Sequence, residues 1–160
     1  MLFVYDQDGE YRPAPKELVL TEANKLSGYQ LRRGAKILSA ETAKTVIGYR
    51  LRGKQHEVFA CLFLDCQHRI LAFKEMFTGS INHTTVHPRE IVKEALQLNA
   101  TALILAHNHP SGATEPSQQD ISLTNILKDI LKVIDVRILD HLVVGDEVIA
   151  FSELGLLQEQ

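Results

Sequence analysis

Two histidines one residue apart, His107 and His109, directly follow the apolar run Ala102-Leu103-Ile104-Leu105-Ala106. That run reads as a buried strand. On extended backbone, positions i and i+2 share a face, so both imidazoles can address one point. Pro110 biases His109 toward extended geometry. Downstream, Ser117-Gln118-Gln119-Asp120 offers a carboxylate at the start of a following helix. Two imidazoles and one carboxylate are a usual protein contribution to a catalytic zinc, with the fourth position left to water. His107, His109 and Asp120 are therefore candidate ligands of a metal-dependent hydrolase. Each part also has a plainer reading. A His-x-His at a strand end is commonly a polar loop, and Ser117 with Asp120 fits a capping box that alone would explain both residues. A cap fixes where first-turn side chains point, so capping and ligation are compatible.

The full pattern is His107, His109, seven residues, Ser117, two residues, Asp120. It resembles the JAMM (MPN-plus) metalloprotease signature with no gap or insertion. Three further stretches are similar to the bacterial RadC-like (UPF0758-type) branch of that family: Val86-His87-Pro88-Arg89-Glu90, Ala106-His107-Asn108-His109-Pro110-Ser111-Gly112 and Leu139-Asp140-His141-Leu142-Val143-Val144-Gly145. The resemblance runs from about residue 38 to the end and covers the first 35 residues weakly. It implies Zn2+ bound by His107, His109 and Asp120, and a general-base glutamate opening the first long strand. Glu57 fits that place, and Glu75, also near a strand end, is its rival. It further implies that Ser117 donates to the oxyanion of a tetrahedral intermediate. The substrate class implied is a peptide or protein, cut at a peptide or isopeptide bond.

These residues need a scaffold. Residues 1–20 read as a short strand or arm, and 21–33 as a helix capped by Thr21 and stopped at Gly34. Ser39 caps a better helix, with Ala43, Val46, Ile47 and Leu51 on its apolar face and Gly53 after it. Residues 58–64 are apolar on both faces, as in a central strand, and a turn through 65–68 leads into a partner strand at 69–76. Pro88 opens a helix whose stripe is Ile91, Val92, Ala95, Leu96 and Leu98, with Asn99 as a left-handed stop. A helix over 118–133 turns Ile121, Leu123, Ile126, Leu127, Ile130 and Leu131 inward. Strands at 136–144 and 148–151 pair across Gly145-Asp146, and a short helical turn over 153–157 follows. The expected architecture is a three-layer α/β sandwich with a mixed sheet, the metal loop lying at a strand's C-terminal end. The resemblance implies the same, a cytidine-deaminase-like fold. The division expected is an N-terminal arm and helix over 1–37 and the JAMM/MPN domain over 38–160.

Composition narrows the alternatives. A chain of 160 residues with 45% hydrophobic and 23% charged residues is an ordinary globular domain. Lys and Arg number 17 against 20 Asp and Glu, a formal charge of −3. Local basic clusters at Arg32-Arg33 and over 50–54 do not amount to a polyanion-binding stripe, so strong nucleic-acid binding is not expected. Cys61 and Cys66 fall on opposite strand faces and do not pair, and no Cys-x-x-Cys exists for a thiolate zinc cage. The start of the chain carries no secretory signal and no run is long enough for a membrane span, so a cytoplasmic protein is expected. A zinc deaminase would need His-x-Glu and Pro-Cys-x-x-Cys, both missing. Three adjacent residues alternate faces and do not make an HNH nuclease site. The remaining alternative is a non-catalytic DNA-repair-associated or protein-interaction module. His141, in a strand beside Asp140, reads as a buried, hydrogen-bonded histidine. His87 reads as a helix cap or surface residue, His56, His68 and His83 as exposed, and Asp65 as a turn residue. Oligomeric state is left open.

Overall fold

The computed structural model describes residues 1–79 and 84–157, apart from the side chains of residues 27 and 29. A small antiparallel hairpin, β1 (Phe3–Tyr5) and β2 (Tyr11–Pro13), precedes α1 (Lys16–Gln30) and α2 (Ala40–Leu51). Then come β3 (Val58–Leu64), β4 (Ile70–Thr78), α3 (Pro88–Gln97), β5 (Ala102–Asn108), α4 (Gln118–Lys132), β6 (Arg137–Val144) and β7 (Val148–Ala150). The five strands from β3 onward form one sheet in the order β4-β3-β5-β6-β7. Only the β5–β6 pair is parallel, because α4 carries the chain across between them, and every other neighbour pair is antiparallel. The sheet is mixed, as expected.

Period-two alternation divides the central strands between two cores. Val58, Ala60, Leu62 and Leu64 of β3 join Ala102, Ile104 and Ala106 of β5 on the side covered by Ala43, Val46, Ile47 and Leu51 of α2. Phe59, Cys61 and Phe63 join Leu103 and Leu105 on the opposite side, under Ile91 and Ala95 of α3 and Leu127 and Leu131 of α4. This is the three-layer arrangement. Burying each large apolar side chain contributes roughly 1.5–3 kcal/mol, so these two stacks dominate the stability of the sheet. The alternation carries on to His107, which therefore emerges on the α3/α4 side. No described helix is long and apolar enough to cross a membrane.

Three expectations need correction. The first helix starts at Lys16, and not at Thr21. The Pro15 carbonyl accepts the first helical bonds, and Thr21 donates its hydroxyl back to the Glu17 carbonyl inside the helix. Leu96 of α3 and Ile126 and Ile130 of α4 are exposed, the inward stripe of α4 running instead through Thr124, Leu127 and Leu131. The segment after β7 is a series of turns closing i to i−3 bonds, and not a helix. Other details stand as read: Ser39 caps α2, Pro88 opens α3, and Asn99 takes a left-handed φ of 55°. Leu31 at the end of the N-terminal segment is buried against the α2 side of the sheet. His83 lies outside the described residues.

Candidate metal centre

β5 ends at the site and α4 begins there. Ser117 is the N-cap of α4: its hydroxyl accepts from the Asp120 amide, while the Asp120 carboxylate accepts from the Ser117 amide and hydroxyl. The capping box is complete, and it aims the Asp120 carboxylate back toward β5. His107 Nε2 and His109 Nε2 stand 3.0 Å apart. Asp120 Oδ1 is 3.4 Å from the first and Oδ2 is 3.7 Å from the second. A tetrahedral centre with ligands about 2.05 Å away has edges of about 3.3 Å, so the three separations bracket what zinc requires. The group His107, His109 and Asp120 can hold a metal ion.

The hydrogen-bond network fixes which ring nitrogens are free. Thr124 donates its single hydroxyl proton to the Asp120 carbonyl at 2.7 Å, so toward His141 Nδ1, 2.6 Å away, it can only accept. His141 is fully buried, and that burial holds its pKa well below the usual value, keeping it neutral. With its proton on Nδ1, its Nε2 accepts from His107 Nδ1 at 2.8 Å. His107 is left with a bare lone pair on Nε2. Likewise His109 Nδ1 donates to the Ala113 carbonyl at 3.0 Å, which leaves its Nε2 bare. Two lone pairs and a carboxylate thus converge on one point, an arrangement that can hold a metal ion. The Asp120 carboxylate beside it raises the pKa of His109 against the opposing effect of burial. Burial would push the Asp120 carboxyl up, but the neighbouring His107 and His109 imidazoles and the hydrogen bonds from Ser117 hold it far below the usual range.

Close packing maintains these directions. Phe151 stacks on the His141 ring with centroids 4.5 Å apart, and Phe59 lies parallel to His107 at 6.4 Å. Gly112, with φ at 85°, turns the loop so that it lies against Gly145, where a Cβ would run into the Ala113 carbonyl oxygen. That close approach holds the acceptor for His109 in place.

The three ligands open into a cavity of about 490 Å3 whose lining includes Glu57, Phe59, Thr84, Ser111, Ser117 and Leu123. Glu57, on the residue before β3, shares this cavity and adds to the charge that raises the His109 pKa. Glu75 is not part of its lining and instead pairs with Lys54 at 3.0 Å. His87 sits at the N-cap of α3 without a capping bond and meets Phe77 edge-on. His141 is buried and hydrogen-bonded, as its sequence setting indicated, but its contact with His107 and the part of Thr124 were not read from the sequence. One signal was present: a lone histidine inside the apolar strand 138–144 must find buried partners.

Known proteins resemble this chain over most of its length. Residues 37–156 match the RadC-like JAB domain family. The chain is 48% identical over 149 residues to the UPF0758 protein of Thioalkalivibrio sulfidiphilus, covering 93% of this chain and 67% of that one. It is 52% identical over 128 residues to the UPF0758 protein of Nitrosococcus oceani, covering 79% and 57%. A third relative, the UPF0758 protein of Vibrio cholerae, is 48% identical over 139 residues, covering 87% and 88%. The chain thus spans little more than half the length of one curated relative and most of another. None of these names states a substrate or an activity.

Proposed function

This chain belongs to the RadC-like JAB domain family, a domain type related to hydrolases, and from that premise we propose that it is a zinc-dependent peptidase or isopeptidase. One observation carries the reading: the uncommitted Nε2 lone pairs of His107 and His109 converge with the Asp120 carboxylate in a cavity that Glu57 also lines. Zinc, when bound, supplies Lewis acidity, polarising a carbonyl and acidifying a water toward a pKa of about 7. Glu57 takes the proton of the attacking water and returns it to the leaving amine, acting from the cavity wall without ligating. Ser117 turns its hydroxyl from Asp120 to the oxyanion of the tetrahedral intermediate. Its backbone amide bond to Asp120 keeps the carboxylate oriented meanwhile. The partner is a peptide or protein substrate, and a formal charge of −3 argues against duplex DNA.

The test uses zinc-loaded protein against a panel of peptides and isopeptides. Cleavage should appear, disappear with chelator and return with zinc. Glu57→Gln should retain zinc and lose roughly 10²–10⁴-fold in activity. The same loss in Glu75→Gln, with Glu57→Gln still active, would reverse the assignment. Nanomolar DNA binding that survives chelation, with no cleavage of any panel member, would favour a repair-associated module.

A further inference from the structure

We propose that Asn108, the residue between the two histidines, is the positioning residue of Glu57: its carboxamide bonds both peptide groups flanking Glu57 and so fixes where that carboxylate enters the cavity. The proposal rests on the reading of Glu57 as the base. Alternation on β5 sends the Asn108 side chain away from the imidazoles, and it is only 2% exposed. Its Oδ1 accepts from the Val58 amide at 2.7 Å, and its Nδ2 donates to the His56 carbonyl at 3.0 Å. A longer contact reaches the Lys54 carbonyl at 3.5 Å.

The reason lies in how the sheet ends. The last backbone rung between β3 and β5 joins Phe59 to His107, so continuing the ladder would set Asn108 opposite Val58. There β5 instead stays with β6, the His109 amide donating to the Val144 carbonyl at 2.9 Å. That departure carries His109 around to face Asp120, and it would leave the start of β3 unpaired beside Glu57. The Asn108 carboxamide supplies the missing donor and acceptor at that rung. On the other side, the Glu57 carbonyl accepts from the Gly79 amide and the Thr84 hydroxyl, each at 2.9 Å. Glu57 has no helix or strand of its own, so these bonds determine its placement. The position needs a donor and an acceptor on one short planar group. Aspartate offers only acceptors, and alanine neither. One His-Asn-His segment thus sets the metal with its outer residues and the base with its central one.

The experiment compares Asn108→Ala and Asn108→Asp, each alone and combined with Glu57→Gln, in the zinc-loaded full chain. Zinc content should be unchanged in all. Hydrogen exchange at the Val58 amide should accelerate by about tenfold or more in Asn108→Ala, while the Phe63 amide, deeper in β3, keeps its protection. Hydrolysis should fall about 10²-fold in kcat with little change in KM, the scale expected when a catalytic group is displaced by about 1 Å. Asn108→Asp, which keeps the acceptor for Val58 and loses the donor to His56, should fall between alanine and the native residue. Neither substitution should lower activity further once Glu57 is glutamine, because the two act through one group. Loss of zinc, an unaltered kcat, or a full additional loss in the Glu57→Gln background would each overturn the proposal. If Asn108→Ala fails to fold, the Asn108→Asp pair decides it by the same criteria. A native protein that hydrolyses nothing sinks the hydrolase reading on its own. The clamp is then judged by Val58 exchange, an unchanged rate refuting it.

Discussion

The two ends of the central sheet carry similar residue types and differ in what those residues have left to offer. At one end His107, His109 and Asp120 open into a cavity of about 490 Å3. At the other, Asp65, Cys66, His68 and Asp135 line a cavity of about 390 Å3 together with Lys132 and Arg137. By residue type the second offers as many candidate ligands as the first. Its Asp65 carboxylate, however, already accepts from the amides of Gln67 and Arg69, which hold it below its usual pKa against the effect of desolvation. His68, half-buried, and Asp135, exposed, occupy left-handed turn positions, with φ of 58° and 56°. Cys66 is exposed and free. There the polar groups serve the turns that carry them. At the first end the turn chemistry is done by neighbours, and lone pairs are forced to remain facing one another. A metal site is distinguished by that residual mismatch, more than by its inventory.

The comparison breaks most visibly under ligand removal. His107→Ala or Asp120→Ala should reduce zinc affinity by well over the roughly 10–100-fold that loss of a supporting hydrogen bond costs, whereas His68→Ala should leave it unchanged. Titration calorimetry against a competing chelator reads both. Next in size come the supports. Thr124→Val removes the acceptor that orients His141, and zinc affinity should drop by about 10–100-fold with the fold retained. An unchanged affinity would show that the tautomer of His107 is set some other way. Gly145→Ala should act in the same direction through the displaced Ala113 carbonyl, and no more strongly.

The smallest effect is that of pH on the metal-free protein. The His109 pKa is raised above its ordinary 6.5, so its contribution to stability is complete below that value and lost as pH climbs through the raised one. The Asp120 pKa is lowered from 3.8, so its contribution is present above that value and lost as pH falls through the lowered one. Between about pH 6 and pH 8 the metal-free Tm should therefore decline, by no more than roughly 2 °C after solvent screening. The increment produced by zinc should grow over the same window, as the metal no longer competes with the His109 proton. A zinc increment that shrinks toward pH 8 would contradict the assignment of His109.

Much of this was legible in the order of residues, because it depended on local rules. The seven buried positions of β3, the proline at the start of α3 and the Ser117–Asp120 cap are all short-range facts. What escaped was long-range. Ile126 and Ile130 looked inward by composition, yet the buried stripe of α4 passes through Thr124, whose burial makes sense only once His141 is beside it. Thr21 had the character of a cap but lies inside a helix already begun at Lys16. Asn108 was visible as a letter between two histidines, and its role depends on where β5 parts from β3.

The central claim is that zinc sits where the free lone pairs of His107 and His109 meet Asp120. Crystals of the zinc-loaded protein, measured on both sides of the zinc absorption edge, test it directly. The account predicts one anomalous peak per chain, about 2.0–2.2 Å from His107 Nε2, His109 Nε2 and an Asp120 oxygen. A fully occupied peak at the opposite end of the sheet, with Cys66 or His68 as ligands and none at Asp120, would contradict it.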